Sequence, residues 1–538
     1  MTGGGVRHPR TKRPGTRRGV IRVAGPLAGV LLLVLLGAVA AVSQPAAGSG
    51  GPAAAGPGPV LPVVGARLVC PDVPAQSADL RTRGEVVSGP AALGGSGTAG
   101  GAGSVVPTPV PGAAGAPLDL AGGAAPLGTD PGRPLQLDAT GASATGLAAA
   151  RLTRGTSGAQ RGLAWDRCTR ARTDAWFVGV STAAMTTSVV QLANVDATPA
   201  DVTLRALTRG GPVRSPAVRG LTLAPHSSQD VALTLLVPGD DDWALEVRAD
   251  RGRVASAVSV ARGGIPAQGV DPVPQTAAPA ARVVVPGVPG SAAGTVVDGS
   301  SYAHVLTVAD PGGGDATVSV EVTDGTGRYV PVGLDAVAVP AGSTATVDLD
   351  AVLTAGPATV RVSSADGTPV LAGVLLIATA HFGGARDVAS LGAADPVTAP
   401  VTLPDGLAGT ALATTLVLTG YDGRDVGVTL QRSGAGAPAA AQHVTVPAGR
   451  TLAVDLTSLL PASTGAGDPG GAPADPLAGA PGPVRITPDP GSPPLWVAAD
   501  VAELGYNGPL VAALALGGSG AGTTDPVAAP DVAVALGR

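Results

Sequence analysis

The chain has 538 residues, 34 basic and 39 acidic, for a formal net charge of −5, and Gly (81) and Pro (52) together fill about a quarter of it. That share of helix-interrupting residues excludes long helical bundles. A hydrophobic content of 45% with only 2% aromatics is too apolar for a disordered chain and requires cores of Ala, Val and Leu.

Residues 1–22 form a basic tail: Arg7, Arg10, Lys12, Arg13, Arg17, Arg18 and Arg22 precede any acid, and the first carboxylate is Asp72. Residues 23–42 carry no charge and are built around Leu31–Leu36. Twenty residues at 1.5 Å each just cross a hydrocarbon layer of about 30 Å. The spacing predicts a single-pass hydrophobic helix with its basic flank in the cytoplasm and the rest of the chain outside. Ala38-Val39-Ala40 also fits a signal-cleavage site, and Thr16-Arg17-Arg18-Gly19-Val20-Ile21 has a twin-arginine look, so secretion after cleavage stands as the alternative to a retained anchor.

Without the seven basic residues of the tail, the remaining 27 face 39 acids, a net of −12. A nucleic-acid partner is not expected, because neutralising phosphates takes a concentrated basic face. Residues 43–59, rich in Pro, Ala and Gly, read as a flexible spacer. Residues 60–172 show short apolar runs, at Ala66–Cys70 and Leu147–Leu152, around a Gly-rich tract from Gly94 to Gly103. This is an irregular β-rich region. Cys70 and Cys168, the two cysteines, are expected to pair as a disulfide in an exported chain; a zinc shell lacks nearby partners.

Three modules follow, at 173–270, 280–392 and 399–538. Val339-Pro340-Ala341-Gly342 leads to Val347-Asp348-Leu349, and 107 residues later Val446-Pro447-Ala448-Gly449 leads to Val454-Asp455-Leu456. A divergent copy runs from Leu223 to Leu233. Alternation in Thr317-Val318-Ser319-Val320-Glu321-Val322 puts the valines on one face, the period of an antiparallel strand with one wet side. Equivalent apolar strands sit at Asp201–Leu204 and Asp425–Leu430, then at Trp243–Val247, Ala358–Val362 and Val484–Ile486, and last at Val254–Ala261, Val370–Ala380 and Leu495–Val501. The expected fold is all-β: tandem immunoglobulin-like antiparallel sandwiches after one hydrophobic helix. The Asp of Val-Asp-Leu is expected to order the next turn. Asp-Pro-Val at Asp271, Asp395 and Asp525 marks a seam after each module, and the strand beyond it either completes the preceding sandwich or opens the next.

Arg67-Leu68-Val69-Cys70-Pro71, Arg167-Cys168-Thr169-Arg170, Asp174-Ala175-Trp176-Phe177-Val178-Gly179 and Leu192-Ala193-Asn194-Val195-Asp196 resemble the actinobacterial exported proteins grouped as domain of unknown function 5719. The resemblance implies an N-terminal hydrophobic segment, paired cysteines and β-rich repeats, with no assigned chemistry. It supplies no catalytic residues.

The sequence contains no Gly-x-Ser-x-Gly elbow, and Lys12 is its only lysine, which removes phosphate-loop and Schiff-base chemistry from the exported part. His226, His304, His381 and His443 lack a ligand spacing, and Asp240-Asp241-Asp242 lacks the alternating pattern of a calcium loop. Trp165, Trp176, Trp243, Trp496, Tyr302, Tyr329, Tyr421 and Tyr506 are read first as core residues. No catalytic, cofactor or metal site is assigned. The expected function is a noncatalytic structural or binding role in the cell envelope, with envelope polymer or a membrane enzyme as partner. The alternatives are an accessory partner of a membrane glycan-synthesis enzyme and a secreted envelope hydrolase with its site before Arg172.

Overall fold

The computed structural model describes residues 60–524, apart from 74–78, 89–102, 121–122, 130, 265–267, 292–299, 354–355, 381–383, 405–411, 422, 433–439, 457–476, 478–481, 506–507 and 518–521. The hydrophobic segment 23–42, its basic flank, the spacer, His381, Tyr506 and the Asp525 seam lie outside the described residues, as does nearly all of the Gly94–Gly103 tract. Among the described residues no helix is long and apolar enough to cross a membrane.

The described chain is all-β and its sheets are antiparallel. Val318, Val320 and Val322 are fully buried while Thr317, Ser319 and Glu321 are not, and Val426–Arg432 alternates in the same way. At about 2 kcal/mol for each buried valine, one face of such a strand supplies enough driving force without aromatic rings.

One strand pattern recurs. In residues 174–273 an opening sheet orders Asp174–Val180, Trp243–Arg251, Ala200–Thr208 and Gly211–Val213, and a closing sheet orders Ser227–Ala232, Thr186–Asn194, Ala255–Arg262 and Val270–Val273. Residues 282–392 and 401–516 repeat both orders. The strand after each described seam, Arg282–Val288 or Val401–Leu403, joins the opening sheet of the following repeat. Residues 65–167, which hold no Pro-Ala-Gly copy, carry the pattern too: Gly65–Cys70, Leu135–Thr140 and Ser104–Pro109 in one sheet, and Ala124–Pro126, Leu80–Val87, Ala148–Gly155 and Gly162–Arg167 in the other. Each repeat is sandwich-like, its two sheets enclosing one buried cluster.

The Pro-Ala-Gly element is a tight turn. Ser343 N–H donates to Pro340 O, and Arg450 N–H to Pro447 O. The carboxylates of Asp315 and Asp425 accept the Ala341 and Ala448 N–H groups, each at 2.9 Å. Asp348 accepts the Asp350 N–H at 2.8 Å, ordering the turn that follows. Gly342 and Gly449 adopt φ of 67° and 63°, and His226 occupies the same place in the divergent copy at φ 50°. A side chain there costs about 1–2 kcal/mol. His226→Gly is therefore expected to raise stability by about 0.5 kcal/mol in thermal or urea melts, the relief being partly offset by a freer unfolded chain. Gly449→Ala, with open space around a Cβ, should lose about 1 kcal/mol. Gly342→Ala should lose more, since its Cβ would meet Pro212 at 3.2 Å.

Candidate functional site

The opening sheet of one repeat packs on the closing sheet of the next. Val69 clusters with Ala193, Val195 and Ala255 across the first junction. Trp176, Val178 and Leu207 meet Ala309 and Leu371 across the second. At the third, the Thr359 hydroxyl lies 2.7 Å from that of Thr419, and the Arg361 guanidinium stacks 4.7 Å over the Tyr421 ring. Val401 and Leu403 of the last repeat share a cluster with Ala150, Leu152, Leu163 and Trp165 of the first. The last repeat thus packs back on the first, and Arg154 of the first makes a two-pronged bond to Glu503 of the last, both contacts at 2.5 Å.

This arrangement makes the final strands of the four closing sheets converge: Gly162–Arg167, Val270–Val273, Arg386–Gly392 and Gly508–Leu516 pack against one another. Asp387 is their meeting point. Its Oδ2 accepts the Leu163 N–H at 3.1 Å and the Val511 N–H at 2.8 Å. Arg161 donates to Arg386 O at 2.7 Å and to Pro509 O at 3.0 Å. Asp271 accepts the Ser390 N–H at 2.5 Å. Side chains from the first three repeats therefore hold backbone groups of the first, third and fourth.

Burial sets the electrostatics. It pushes the Asp387 carboxyl up to about 8 against the pull of its amide donors and Arg161. It also pushes Asp166 up to about 7, opposed by Arg151 and reinforced by Asp72. Asp271 is raised well above the carboxylate range by burial, and further by the charges of Asp387 and Asp166. At neutral pH Asp387 thus holds its proton. A buried acid with raised affinity for protons is a frequent sign of catalysis, and it is equally what a carboxyl packed between backbones shows. A Cβ at Gly269 would sit 2.5 Å from Asp387 Oδ1, and one at Gly162 2.9 Å away. Only glycine fits at these two positions beside the carboxyl, whose bonds go to backbone amides of two repeats, so it acts as a clamp.

The residues read from the sequence fall as follows. Cys70 and Cys168 are disulfide-bonded and both are buried. Asp240, Asp241 and Asp242 diverge: Asp240 accepts the Asp241 N–H, Asp241 pairs with Arg262, and Asp242 sits at φ 55°. His304 is buried with Nε2 2.6 Å from Pro289 O, and burial lowers its pKa. His443 lies 3.1 Å from Asp489 on the surface. Trp165, Trp176, Trp243, Tyr302 and Tyr421 are buried; Trp496 is half-buried, edge-on to Tyr421; Tyr329 is exposed. Among the described residues no group of three or more His, Cys, Asp or Glu side chains is placed to hold a metal ion.

Asp387 and Asp166 escape sequence reasoning because one carboxylate in an apolar strand has no motif. Asp271 stands out there only as a seam marker, yet its place is within one of the four converging strands, here called axial, whereas Asp395 is exposed beyond one. Three of the stretches that carry the family resemblance, Arg67–Pro71, Arg167–Arg170 and Leu192–Asp196, meet at the first junction, whereas Asp174–Gly179 faces the second. Arg67 bonds Asp138 at 2.5 Å and Val195 O at 3.1 Å, and Arg253 grips Asp196 through two nitrogens at 2.7 and 3.0 Å.

Comparison with known proteins agrees with that resemblance in part of its span. No curated protein matches the chain. The model of a family described as Family of unknown function (DUF5719) matches residues 122–457. The match takes in the second and third repeats whole and includes Arg167–Asp196, leaving Arg67–Pro71 before it. Covering more than half of the sequence, it shows that this chain belongs to the DUF5719 family.

Proposed function

We propose that the chain is a membrane-anchored, extracytoplasmic protein of an actinobacterial cell envelope, with immunoglobulin-like repeats in a noncatalytic structural or binding role. The observation that carries this reading is the buried Cys70–Cys168 disulfide, since such bonds persist outside the reducing cytosol. The basic tail and the uncharged segment 23–42 agree with it. Further support is that Asp387, Asp271 and Arg161 are engaged in holding backbone groups of neighbouring repeats.

A second reading, an accessory partner of a membrane glycan-synthesis enzyme, rests on the turn bearing Tyr329, Val330 and Val332. These are exposed apolar side chains, Val332 completely so, and adjoining surface of that kind marks protein contacts. Fractionation of cells making a C-terminally tagged chain, followed by protease treatment of intact cells, tests the proposal. The expected result is a membrane-bound chain whose tag is lost to external protease. Recovery of a protected tag in the cytosol overturns it. Stoichiometric co-purification of a synthase from detergent favours the second reading over the first.

A further inference from the structure

The segment that carries the chain from the first repeat to the second is pinned at three places. Cys168 is held by its disulfide. Thr169 exchanges two backbone hydrogen bonds with Val69, at 2.7 and 2.9 Å, and Arg172 exchanges two with Val254, both at 2.9 Å. Three arginines ride on this fixed support. Arg170 and Arg172 are exposed, and Arg167 is half-buried beside Gly517, donating to Ala515 O at a long 3.5 Å. Among the described residues none of the three has an ion-pair partner. Nearby Arg253 differs, because Asp196 neutralises it. Burial, and after it the charges of Arg172 and Arg170, lower the Arg167 pKa. A chain whose exported part is acidic by composition has gathered three arginines within six residues here.

Such a cluster is the half of an interaction whose other half is an anion. Guanidinium forks on a pinned backbone match the several oxygens of a tetrahedral oxyanion, and the backbone's share of the ordering cost is already met. The hydroxyls of Thr169 and Thr173, half-buried and exposed on the same segment, add donors. We propose that residues 167–173 form a binding site for phosphate groups, with Arg167, Arg170 and Arg172 as its cationic ligands. This deepens the binding half of the envelope reading by naming the chemistry of the polymer or lipid bound.

The test titrates the full chain in detergent with inorganic tripolyphosphate at constant ionic strength. Wild type is expected to bind saturably, and Arg170→Gln/Arg172→Gln to bind at least about ten-fold more weakly with an unchanged melting temperature. Arg167→Gln should weaken binding as well. Arg214→Gln/Arg219→Gln, which removes two exposed arginines elsewhere, should leave it intact. Absence of saturable binding to wild type in both this arm and the vesicle arm, or equal loss in this control pair, overturns the proposal. Phosphatidylglycerol vesicles form the second arm: binding to vesicles alone, abolished by Arg170→Gln/Arg172→Gln, keeps the site and assigns a lipid headgroup, and binding to tripolyphosphate assigns soluble or polymer phosphate. A cytosolic chain that binds phosphate would sink the envelope reading and spare this site; an envelope chain that binds none would do the reverse.

Discussion

Asp387→Ala should lower the unfolding free energy by about 3–5 kcal/mol, because it strands two buried amide donors at once. Leu163 N–H and Val511 N–H both end on Asp387 Oδ2. Neither is reached by water from a site where Gly162 and Gly269 stand against the carboxyl. Asp387→Asn separates hydrogen bonding from charge. Its amide oxygen accepts the same donors, and its Nδ2 takes the place of the oxygen that carries the proton at neutral pH, so a loss of about 1 kcal/mol or less is expected. Urea denaturation at pH 7 followed by tryptophan fluorescence measures both. Equal losses in the two variants would show that ionised Asp387 is what the junction requires.

The same carboxyl sets a pH dependence whose sign is opposite to that of a salt-bridged aspartate. A folded-state pKa of about 8, against an ordinary carboxyl value of 3.8, means that between these limits the folded chain holds a proton that the unfolded chain releases. Stability therefore falls as pH rises from about 4 toward 8 and levels above that, at up to about 1.4 kcal/mol per pH unit from this group. Asp166, at about 7, adds a decline ending one unit earlier. Asp387→Asn should remove one carboxyl's share of the slope between pH 5 and 8, leaving the shares of Asp166 and Asp271. Below pH 4 the trend reverses, since Asp196 and Asp366 have pKa values lowered by hydrogen bonds from Arg253, Ser364 and Thr368 and lose those interactions on protonation.

What the sequence disclosed and what it withheld follow from which interactions are local. Alternating valines dictate strands, and a glycine at positive φ dictates the Pro-Ala-Gly turn; both leave a mark within ten residues. The apolar stretches at Trp243–Val247, Ala358–Val362 and Val484–Ile486 accordingly appear as strands of opening sheets. The first repeat lacks the turn and contains Pro107 and Pro109 within the strand Ser104–Pro109, so its local signal is weak although its strand order matches the others. Packing of the fourth repeat on the first joins residues hundreds of positions apart, such as Arg154 and Glu503. No periodicity records that. The axial carboxylates were hidden for the same reason: their partners are backbone amides, which every residue has.

Removal of the disulfide has the second large effect. Cys70 ends the strand Gly65–Cys70 of an opening sheet, and Cys168 follows Gly162–Arg167 of the closing sheet, so the bond joins the two layers of the first repeat. For a sequence separation of 98 the chain-entropy model gives about 4–5 kcal/mol. Cys70→Ala/Cys168→Ala is expected to lose about that much, with a small further cost from space left in a buried cluster. The loss does not stay within the first repeat. Leu163 and Trp165 belong to its closing sheet yet pack into the core of the last repeat, and Leu163 N–H is one of the Asp387 donors. Loosening Gly162–Arg167 therefore weakens the junction with the fourth repeat and the axial clamp together. Single-tryptophan chains separate these levels, because Trp165 reports on the contact with the last repeat and Trp243 on the interior of the second. In the cysteine-free background Trp165 should become exposed at lower urea than Trp243, whereas coincident transitions displaced by less than about 1 kcal/mol would show that the cross-link is not what keeps the first repeat seated.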